Sequence, residues 1–322
     1  MIDGGAIERI DEIEGNLCGV AEALSKAGVG GIVGRMKYAT NKQDLNRRTV
    51  LAGMLGAGLG AGLCRLSAFA GPEPMPGEEG FTPLFDGKTL EGWHTNRQKI
   101  GHGTGGRWAV EDGAITGGQD PPGNGGMLMT DKEFGDFDLV LELNPDWGID
   151  TGVFLRTNEQ GVCFQVYVDY HDRGNVGWIS TEQVAGHKRM IVRPFDLFGT
   201  LDQNGKLKTL TTKPDERDVA WKPDYLLYSA TPQTFLDTWK IGQWNSMRVR
   251  CEGKYPRITT WINNVKMADF DGATCPQPDY KKEEIFRQLG AKGPIAFQVH
   301  GGKAAWRGGA KCRWRNIRVK AL

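Results

Sequence analysis

The sequence predicts an all-β protein built as a sandwich of two antiparallel sheets. From Phe81 onward, short runs with the alternating pattern of strands are separated by turn residues, and only Lys282–Leu289 favours a short helix. The 322 residues include 46 glycines and 10 tryptophans, a composition that favours a loop-rich all-β protein. The formal charge is only +1 and no basic run stands out, so a nucleic-acid partner is not expected.

The first 70 residues differ in character from the rest of the chain. Arg47-Arg48 precede a mildly apolar stretch rich in glycine and alanine at residues 50–63, and Ala68-Phe69-Ala70 follows. This order predicts a twin-arginine export signal that is cleaved near Ala70, with release into the periplasm or outside the cell. A membrane anchor is the alternative, although the stretch is shorter than the ~20 residues that span a bilayer.

Two features of this N-terminal segment leave alternatives open. Residues 1–35 precede the signal, and a true start at Met36 accounts for them, whereas a genuine extension with a short helix at residues 6–24 is the alternative. Cys64 follows Leu63, where a lipoprotein site requires a small residue, so a lipid anchor is disfavoured. Residues 71–322 are then predicted to form a single domain that is large enough for a sizeable core.

The predicted strands of this domain follow one another with few interruptions. They are residues 108–110, 114–116, 126–130, 137–143, 152–156, 162–170, 176–179, 244–252, 257–262, 265–270, 295–300 and 313–320. Asn263-Asn264 predicts a hairpin turn, because asparagine tolerates the left-handed backbone conformation that such turns need. Residues 181–240 are too long for an ordinary connection, which predicts a functional insertion over one end of the sandwich; a loosely ordered surface excursion is the alternative.

The cysteines of the domain do not suggest a metal site. The spacing of Cys163, Cys251, Cys275 and Cys312 includes no C-x-x-C pair and no ligand pattern. Cys163 and Cys251 lie within strand-like runs, and we expect both to be buried thiols rather than members of disulfides.

Three strand-like runs carry polar side chains on one face. In VCFQVYVDYHDRG, GIDTGVFLRT and GPIAFQVHGG, alternate residues share a face of the strand, and that face holds amides, imidazoles and carboxylates. Water-facing strand positions usually hold Thr, Lys, Glu and Ser, so we expect one concave polar face rather than three solvated surfaces. The residues predicted to converge there are Gln165, Asp169, His171, Arg156, Gln298 and His300, with Asp150 and Tyr167 on the same faces.

Several longer motifs resemble a known family. FTPLFDGKTLEGWH, DTGVFLRT, QVYVDYHDRGNVGWI, QWNSMRVRC, ITTWINNVKMADFDG and the closing GPIAFQVHGG and WRNIRVKAL are similar to the 3-keto-disaccharide hydrolase domain family, from Phe81 to Leu322. The resemblance implies a concanavalin A-like two-sheet antiparallel jelly-roll sandwich that acts on glycosides already oxidised at carbon 3, and therefore a functional link to a sugar 3-dehydrogenase. The sequence departs from the family where Asp150-Thr151-Gly152 replaces the more usual Asn-Ser-Gly, and where Val299 replaces an aspartate.

The chemistry of a 3-keto sugar differs from that of an ordinary glycoside. A retaining glycosidase needs two carboxylates about 5 Å apart, and the E-x-D-x-x-E pattern that usually supplies them is absent from residues 71–322. A ketone at carbon 3 makes the hydrogen on carbon 2 acidic, so a base can form an enolate, the group on carbon 1 can leave, and water can add to the double bond. The expected function is therefore cleavage by elimination and hydration, and a non-catalytic carbohydrate-binding module is the alternative.

The residue types suggest which groups carry out this reaction. Asp169, His171 and His300 are the candidate proton-transfer groups, although His300 could instead only cap its strand. The same three residues could hold a divalent ion that polarises the ketone, and no other cofactor is predicted. The candidate substrate-binding residues are Asp150, Arg156, Gln165, Tyr167, Trp178 and Gln298, with Trp178 stacking on a sugar face.

Overall fold

Eighteen strands, arranged mainly in two antiparallel sheets, make up most of the protein that the computed structural model describes, which is residues 79–184, 190–215 and 223–322. The predictions about the export signal, the start at Met36 and Cys64 fall outside these residues and stay predictions. No helix among the residues described is long and apolar enough to cross a bilayer. The predicted all-β class is confirmed.

The larger sheet has nine strands, and every pairing in it is antiparallel. In spatial order its strands are β13 (Tyr228–Ser229), β16 (Val265–Asp271), β15 (Arg257–Ile262), β14 (Asn245–Glu252), β6 (Phe137–Leu143), β18 (Cys312–Ala321), β4 (Ala114–Gly118) and β3 (Arg107–Glu111), while β1 (Thr82–Pro83) pairs with β18.

The second sheet has seven antiparallel strands. In spatial order they are β10 (Ile191–Val192), β9 (Val176–Glu182), β8 (Cys163–Val168), β7 (Gly152–Leu155), β17 (Gly293–Val299), β5 (Gly126–Phe134) and β2 (Trp93–Thr95). Neighbours such as β7 and β17 are distant in sequence, as a jelly roll requires. The two sheets together form the predicted concanavalin A-like jelly-roll sandwich.

The alternation of side chains explains how the two sheets pack. In β14, Met247, Val249 and Cys251 are buried while the residues between them are partly exposed, so one face meets the core and the other meets water. In β7 and β8, by contrast, every residue is buried. One face of these strands contributes Val153 and Phe164 to the core, and further elements cover the other face.

The inserted segment at residues 181–240 supplies part of that cover. Its described residues form a hairpin of β11 (Phe195–Leu201) and β12 (Leu207–Pro214), a 3-10 turn (Pro223–Tyr225), β13 and helix α1 (Pro232–Thr238). Two backbone hydrogen bonds join the hairpin to the loop after β8, from Arg173 N to Leu197 O and from Leu197 N to Gly174 O. The hairpin is thus attached to the sandwich by regular structure rather than as a loosely ordered excursion.

Several local predictions are confirmed. Helix α2 spans Lys282–Leu289, as the sequence predicts. Cys163 and Cys251 are buried free thiols, and no disulfide joins the four described cysteines. At the turn between β15 and β16, Asn263 and Asn264 both have left-handed φ values, of 46° and 67°. Strand ends differ from prediction by a few residues, as expected where termini lack ladder partners.

The two turn asparagines should respond differently to replacement by glycine. Asn263 donates through Nδ2 to Thr238 O and to Asn245 Oδ1, and its Oδ1 accepts from Ser246 N. Asn263→Gly should therefore lower the free energy of unfolding by about 1–2 kcal/mol, since those hydrogen bonds are lost. Asn264→Gly is the matched control and should stay within about 0.5 kcal/mol, because glycine adopts the same backbone. Equal decreases in the free energy of unfolding of the two variants, measured by urea denaturation, would contradict this assignment.

Candidate functional site

The register of three strands brings a cluster of ionisable side chains together at one edge of the seven-stranded sheet. Because β7 is antiparallel to both neighbours, its start lies beside the ends of β8 and β17. Tyr170 N donates to Ile149 O, and His300 N donates to Asp150 O. Asp150, Asp169, His171 and His300 therefore meet at this edge, as the sequence predicts for the last three. We call these four residues the edge cluster.

Asp150 and His171 form the central contact of the edge cluster. His171 Nε2 lies 3.7 Å from Asp150 Oδ2, and His171 Nδ1 donates to the backbone oxygen of Asp172 at 2.7 Å. One ligand atom each from Asp150, Asp169 and His171 lie within 4.8 Å of one another. Asp169 is almost completely buried, whereas His171 and Asp150 are partly open to solvent.

Electrostatics favour charge on both members of this contact. Burial by itself would raise the pKa of Asp150, but the close approach of the His171 imidazole, with His300 nearby, outweighs it and lowers that pKa. Burial likewise opposes a charged His171, but the nearby carboxylate of Asp150 and the hydrogen bond to Asp172 O raise the pKa of the imidazole above its usual value of about 6.5. The pair is therefore biased toward a carboxylate and an imidazolium.

His300 lies next to this pair, and its ring hydrogen-bonds to a backbone oxygen rather than to a carboxylate. Its Nδ1 is 2.6 Å from the backbone oxygen of Gly301, which can only accept, so we assign the ring proton to Nδ1. Among the described residues, no group hydrogen-bonds to Nε2 of His300. The edge of its ring contacts the ring of His102 at a centroid distance of 4.6 Å. His300 is thus oriented with Nδ1 toward Gly301 O, which leaves Nε2 without a protein hydrogen-bond partner among the described residues.

A buried row of polar side chains leads across the sheet to His102. Ser180 Oγ donates to Gln165 Oε1, and Gln165 Nε2 donates to Gln298 Oε1 at 3.1 Å. Gln298 Nε2 lies 2.9 Å from His102 Nε2, which accepts. Both glutamines are 1% exposed. They were predicted to contact substrate directly, but in this structure they support the two histidines instead.

Gly152 leaves the space that this row requires. A Cβ atom on Gly152 would lie 2.6 Å from Gln165 Nε2 and 2.8 Å from Val166 O. Any larger residue would push the amide away from Gln298, so the row depends on glycine between the two glutamines. This explains the glycine of the Asp150-Thr151-Gly152 motif by packing rather than by backbone strain.

Sequence reasoning missed His102, and the reason is local. His102 lies in a loop with glycines on both sides, GHGTGG, so it belongs to no alternating pattern. It is 6% exposed and reaches Gln298 from outside the sheet. Only the glycine-rich loop could have drawn attention to it, and glycine-rich loops without a strand–helix context are weak signals.

The prediction for Trp178 was wrong. Trp178 shares a strand face with Ser180, but Phe195 and Phe235 of the inserted segment cover its ring at centroid distances of 4.9 and 6.1 Å. It is completely buried and cannot stack on a sugar. Tyr167 is also buried, with the guanidinium of Arg193 5.5 Å above its ring.

The prediction for Arg156 was wrong as well. It lies six residues after Asp150, at the opposite end of β7, which places it roughly 20 Å away along an extended chain. Its guanidinium donates to Gly135 O, Gly253 O and Asp136 Oδ1 at 2.7 to 2.9 Å. Arg156 therefore ties three loops together far from the edge cluster.

A cleft opens beside His171. Its volume is about 380 Å³, and Leu201 of the β11–β12 hairpin forms one of its walls. The hairpin is fixed there by a hydrogen bond from Gly199 N to Asp172 Oδ1 at 3.0 Å. The cleft, which we call the His171 cleft, is lined by Trp147, Gly148, His171, Asp172, Leu201 and residues 303–307.

Comparison with known proteins assigns the family. The model of the 3-keto-alpha-glucoside-1,2-lyase-like domain matches residues 80–320. The chain belongs to this family. It is also 33% identical over 260 residues to a 3-keto-disaccharide hydrolase of Bacteroides thetaiotaomicron, covering 76% of this chain and 79% of that protein. The family resemblance seen in the sequence motifs is confirmed.

Solved structures are similar at lower identity. A candidate glycosyl hydrolase from Parabacteroides distasonis is 21% identical, with a TM-score of 0.41, covering 75% of this chain and 99% of that one. A carbohydrate-binding module from Bacillus subtilis is 12% identical, with a TM-score of 0.36, covering 71% and 96%.

Within this family member, the atoms that could hold a divalent ion are those of Asp150, Asp169 and His171. The sequence predicted His300 in place of Asp150. Two carboxylates and an imidazole suit several divalent metals, so occupancy of this group stays a prediction.

Replacing Arg156 should affect stability and spare the edge cluster. Arg156→Met removes the three hydrogen bonds and should lower the free energy of unfolding by about 2–3 kcal/mol. Ligand binding at the edge cluster should stay within about two-fold, since the guanidinium lies at the other end of β7. Arg97→Met, at a side chain that is 72% exposed, is the control and should change neither quantity. A stable Arg156→Met protein that no longer binds sugar would contradict this placement.

Proposed function

We propose that this protein cleaves 3-keto-glycosides by removing the proton on carbon 2, eliminating the group on carbon 1 and hydrating the product. The observation that carries the proposal is the edge cluster, which places His300 beside the pair of His171 and Asp150. The relative named 3-keto-disaccharide hydrolase supports the substrate class. Family membership supports the broader statement that the chain is a carbohydrate-active enzyme on a jelly-roll scaffold.

His300 is proposed as the base. Its Nδ1 donates to Gly301 O, so Nε2 is the ring nitrogen that would take the proton from carbon 2 of the sugar. The neighbouring ring of His102 and the backbone contact to Asp150 fix its orientation. The enolate oxygen that forms at carbon 3 carries negative charge, and the imidazolium of His171 is the nearest cation of the cluster that can stabilise it.

His171 is proposed as the acid. Asp150 raises its pKa and lies 3.7 Å from Nε2, so the imidazolium is favoured and can give the Nε2 proton to the departing oxygen as the bond to carbon 1 breaks. Water then adds its oxygen to carbon 1 and returns a proton to His171, while His300 returns its proton to carbon 2. Both histidines end in their starting states, and the net reaction is hydrolysis.

The structure also raises a second candidate, direct hydrolysis of an unoxidised glycoside. Asp150 and Asp169 lie close together, and two carboxylates can act as nucleophile and acid. That route gives no role to His171 and His300, whereas the elimination route uses both, so elimination fits the composition of the edge cluster better.

The direct test compares two substrates that differ only at carbon 3. The purified protein should release p-nitrophenol from 3-keto-p-nitrophenyl α-glucoside and leave p-nitrophenyl α-glucoside intact. His300→Ala should lower turnover by about 100-fold or more, because a proton-transfer group is lost. The control is His94→Ala, since His94 pairs with Asp131 and Glu159 outside the edge cluster. Binding without release would indicate a carbohydrate-binding module instead, and hydrolysis of the unoxidised glycoside would favour the aspartate mechanism.

The pH dependence should report the contact between Asp150 and His171. As the acid, His171 must be protonated, so activity should fall as pH rises through its pKa, which Asp150 holds above 6.5. Asp150→Asn removes the charge that raises this pKa while burial still opposes the imidazolium, so the alkaline limb of the pH–rate profile should move to lower pH. Asp131→Asn should leave the limb in place. An unmoved limb in Asp150→Asn would exclude His171 as the acid.

A further inference from the structure

A second cleft lies beside the His171 cleft. It has a volume of about 300 Å³, within the size range of small-molecule sites. We call it the Arg107 cleft. Its polar lining comes from β3, β4, the loop after β4 and the segment before β18, and consists of Arg107, Glu111, Thr116, Gln119, Lys303 and Lys311. Gly117, Gly118, Gly308 and Gly309 form part of its surface and leave it free of bulky side chains.

The two clefts share a wall. Lys303 and Trp306 line both of them. Trp306 is fixed in place, because its Nε1 donates to Ala310 O and the side chain is 4% exposed. The two clefts therefore lie next to each other, with Trp306 and Lys303 between them.

Backbone pairing places this shared wall close to the edge cluster. Ile149 pairs with both Trp306 and Tyr170, and paired backbones lie about 4.8 Å apart. Asp150 and His171 directly follow two of these residues. On the other side, Gln119 Nε2 donates to the backbone oxygen of His300 at 2.7 Å. The backbone of the shared wall at Trp306 is therefore one strand spacing, about 5 Å, from Ile149, the residue before Asp150.

The charges of the Arg107 cleft are unbalanced. Lys311 Nζ pairs with Glu111 Oε2 at 2.6 Å, which uses the one carboxylate of the lining. The side chains of Arg107 and Lys303 form no ion pair or hydrogen bond with any residue that the structure describes, although Arg107 lies near enough to Glu111 to help lower the pKa of that carboxylate. Two unpaired cations next to a pocket favour a ligand with negative charge, and a guanidinium suits a carboxylate in particular.

We infer that the Arg107 cleft binds the leaving group of the glycoside and selects leaving groups that carry a negative charge. This inference rests on the proposed function, in which His171 protonates the departing oxygen. His171 lines the neighbouring cleft, so that oxygen lies on this side of the edge cluster, and the rest of the leaving group continues over Trp306 toward Arg107 and Lys303.

The test uses two substrates of the same shape, the 3-keto α-glucosides of p-hydroxybenzoate and of p-hydroxybenzamide. The first has a carboxylate where the second has a neutral amide. The measured quantity is the ratio of kcat/KM for the carboxylate substrate to kcat/KM for the amide substrate, at low salt. This ratio should be about five- to ten-fold higher for the wild-type protein than for the Arg107→Gln/Lys303→Gln variant. This difference between the ratios of the two proteins should shrink at about 0.5 M salt, because ions screen partly exposed charges. Lys292→Gln, which alters a lysine paired with Glu133, should keep the wild-type ratio.

Failure of the inference and failure of the proposed function give different results. Equal ratios in the wild-type and double-variant proteins, with turnover of both substrates, would overturn the inference alone. If neither substrate is cleaved, the proposed function fails, and calorimetry with the unoxidised α-glucoside of p-hydroxybenzoate still tests the cleft. Binding that weakens about five-fold or more in the double variant would support an anion site, and equal binding would overturn it.

Discussion

The antiparallel placement of β7 between β8 and β17 is the constraint on which the candidate site depends. β7 and β8 are consecutive in the chain and β17 follows more than a hundred residues later, yet their register brings the start of β7 beside the ends of the other two. Each segment then contributes one part of the chemistry: Asp150 before β7, Asp169 and His171 after β8, and His300 after β17. A register slip of one residue would send these side chains to the opposite face.

The buried glutamine row explains how this edge keeps its geometry. Amides are costly to bury unless their hydrogen bonds are satisfied, and here Gln165 and Gln298 satisfy each other and connect Ser180 to His102. Since His102 contacts the ring of His300, the row fixes a proposed catalytic group through contacts that never reach substrate. Gly152 makes the row possible by its lack of a side chain.

Sequence alternation predicted the strands and the faces of their residues, but not how far each residue lies along its strand. Asp169, His171 and His300 follow strand ends and do converge, whereas Arg156 shares the parity of Asp150 and lies at the other end of β7. Trp178 failed for another reason: it has the right parity, but residues of the inserted segment cover it. Such cover depends on contacts between distant segments, which no local pattern encodes. The asparagine turn and helix α2 succeeded because both depend on local backbone preferences.

The inserted segment contributes to the site in two physical ways. Its hairpin holds Asp172 through Gly199 N, and the backbone oxygen of Asp172 accepts the proton of His171 Nδ1, so the hairpin helps to orient the proposed acid. It also brings charge. Arg193 is buried between Asp196 and Asp215, and burial together with repulsion from Asp215 outweighs Arg193 to raise the pKa of Asp196 to about 6.

Both Arg193 and Asp196 act on His171, but with opposite signs. The positive charge of Arg193 disfavours the imidazolium of His171. The imidazolium and an ionised Asp196, by contrast, stabilise each other. The influence of Asp196 weakens as it gains a proton below about pH 6, while Arg193 keeps its charge. The charge state of His171 therefore depends first on Asp150 within the sandwich and then on this buried ion cluster, which places the inserted segment in the electrostatics of the site as well as in its wall.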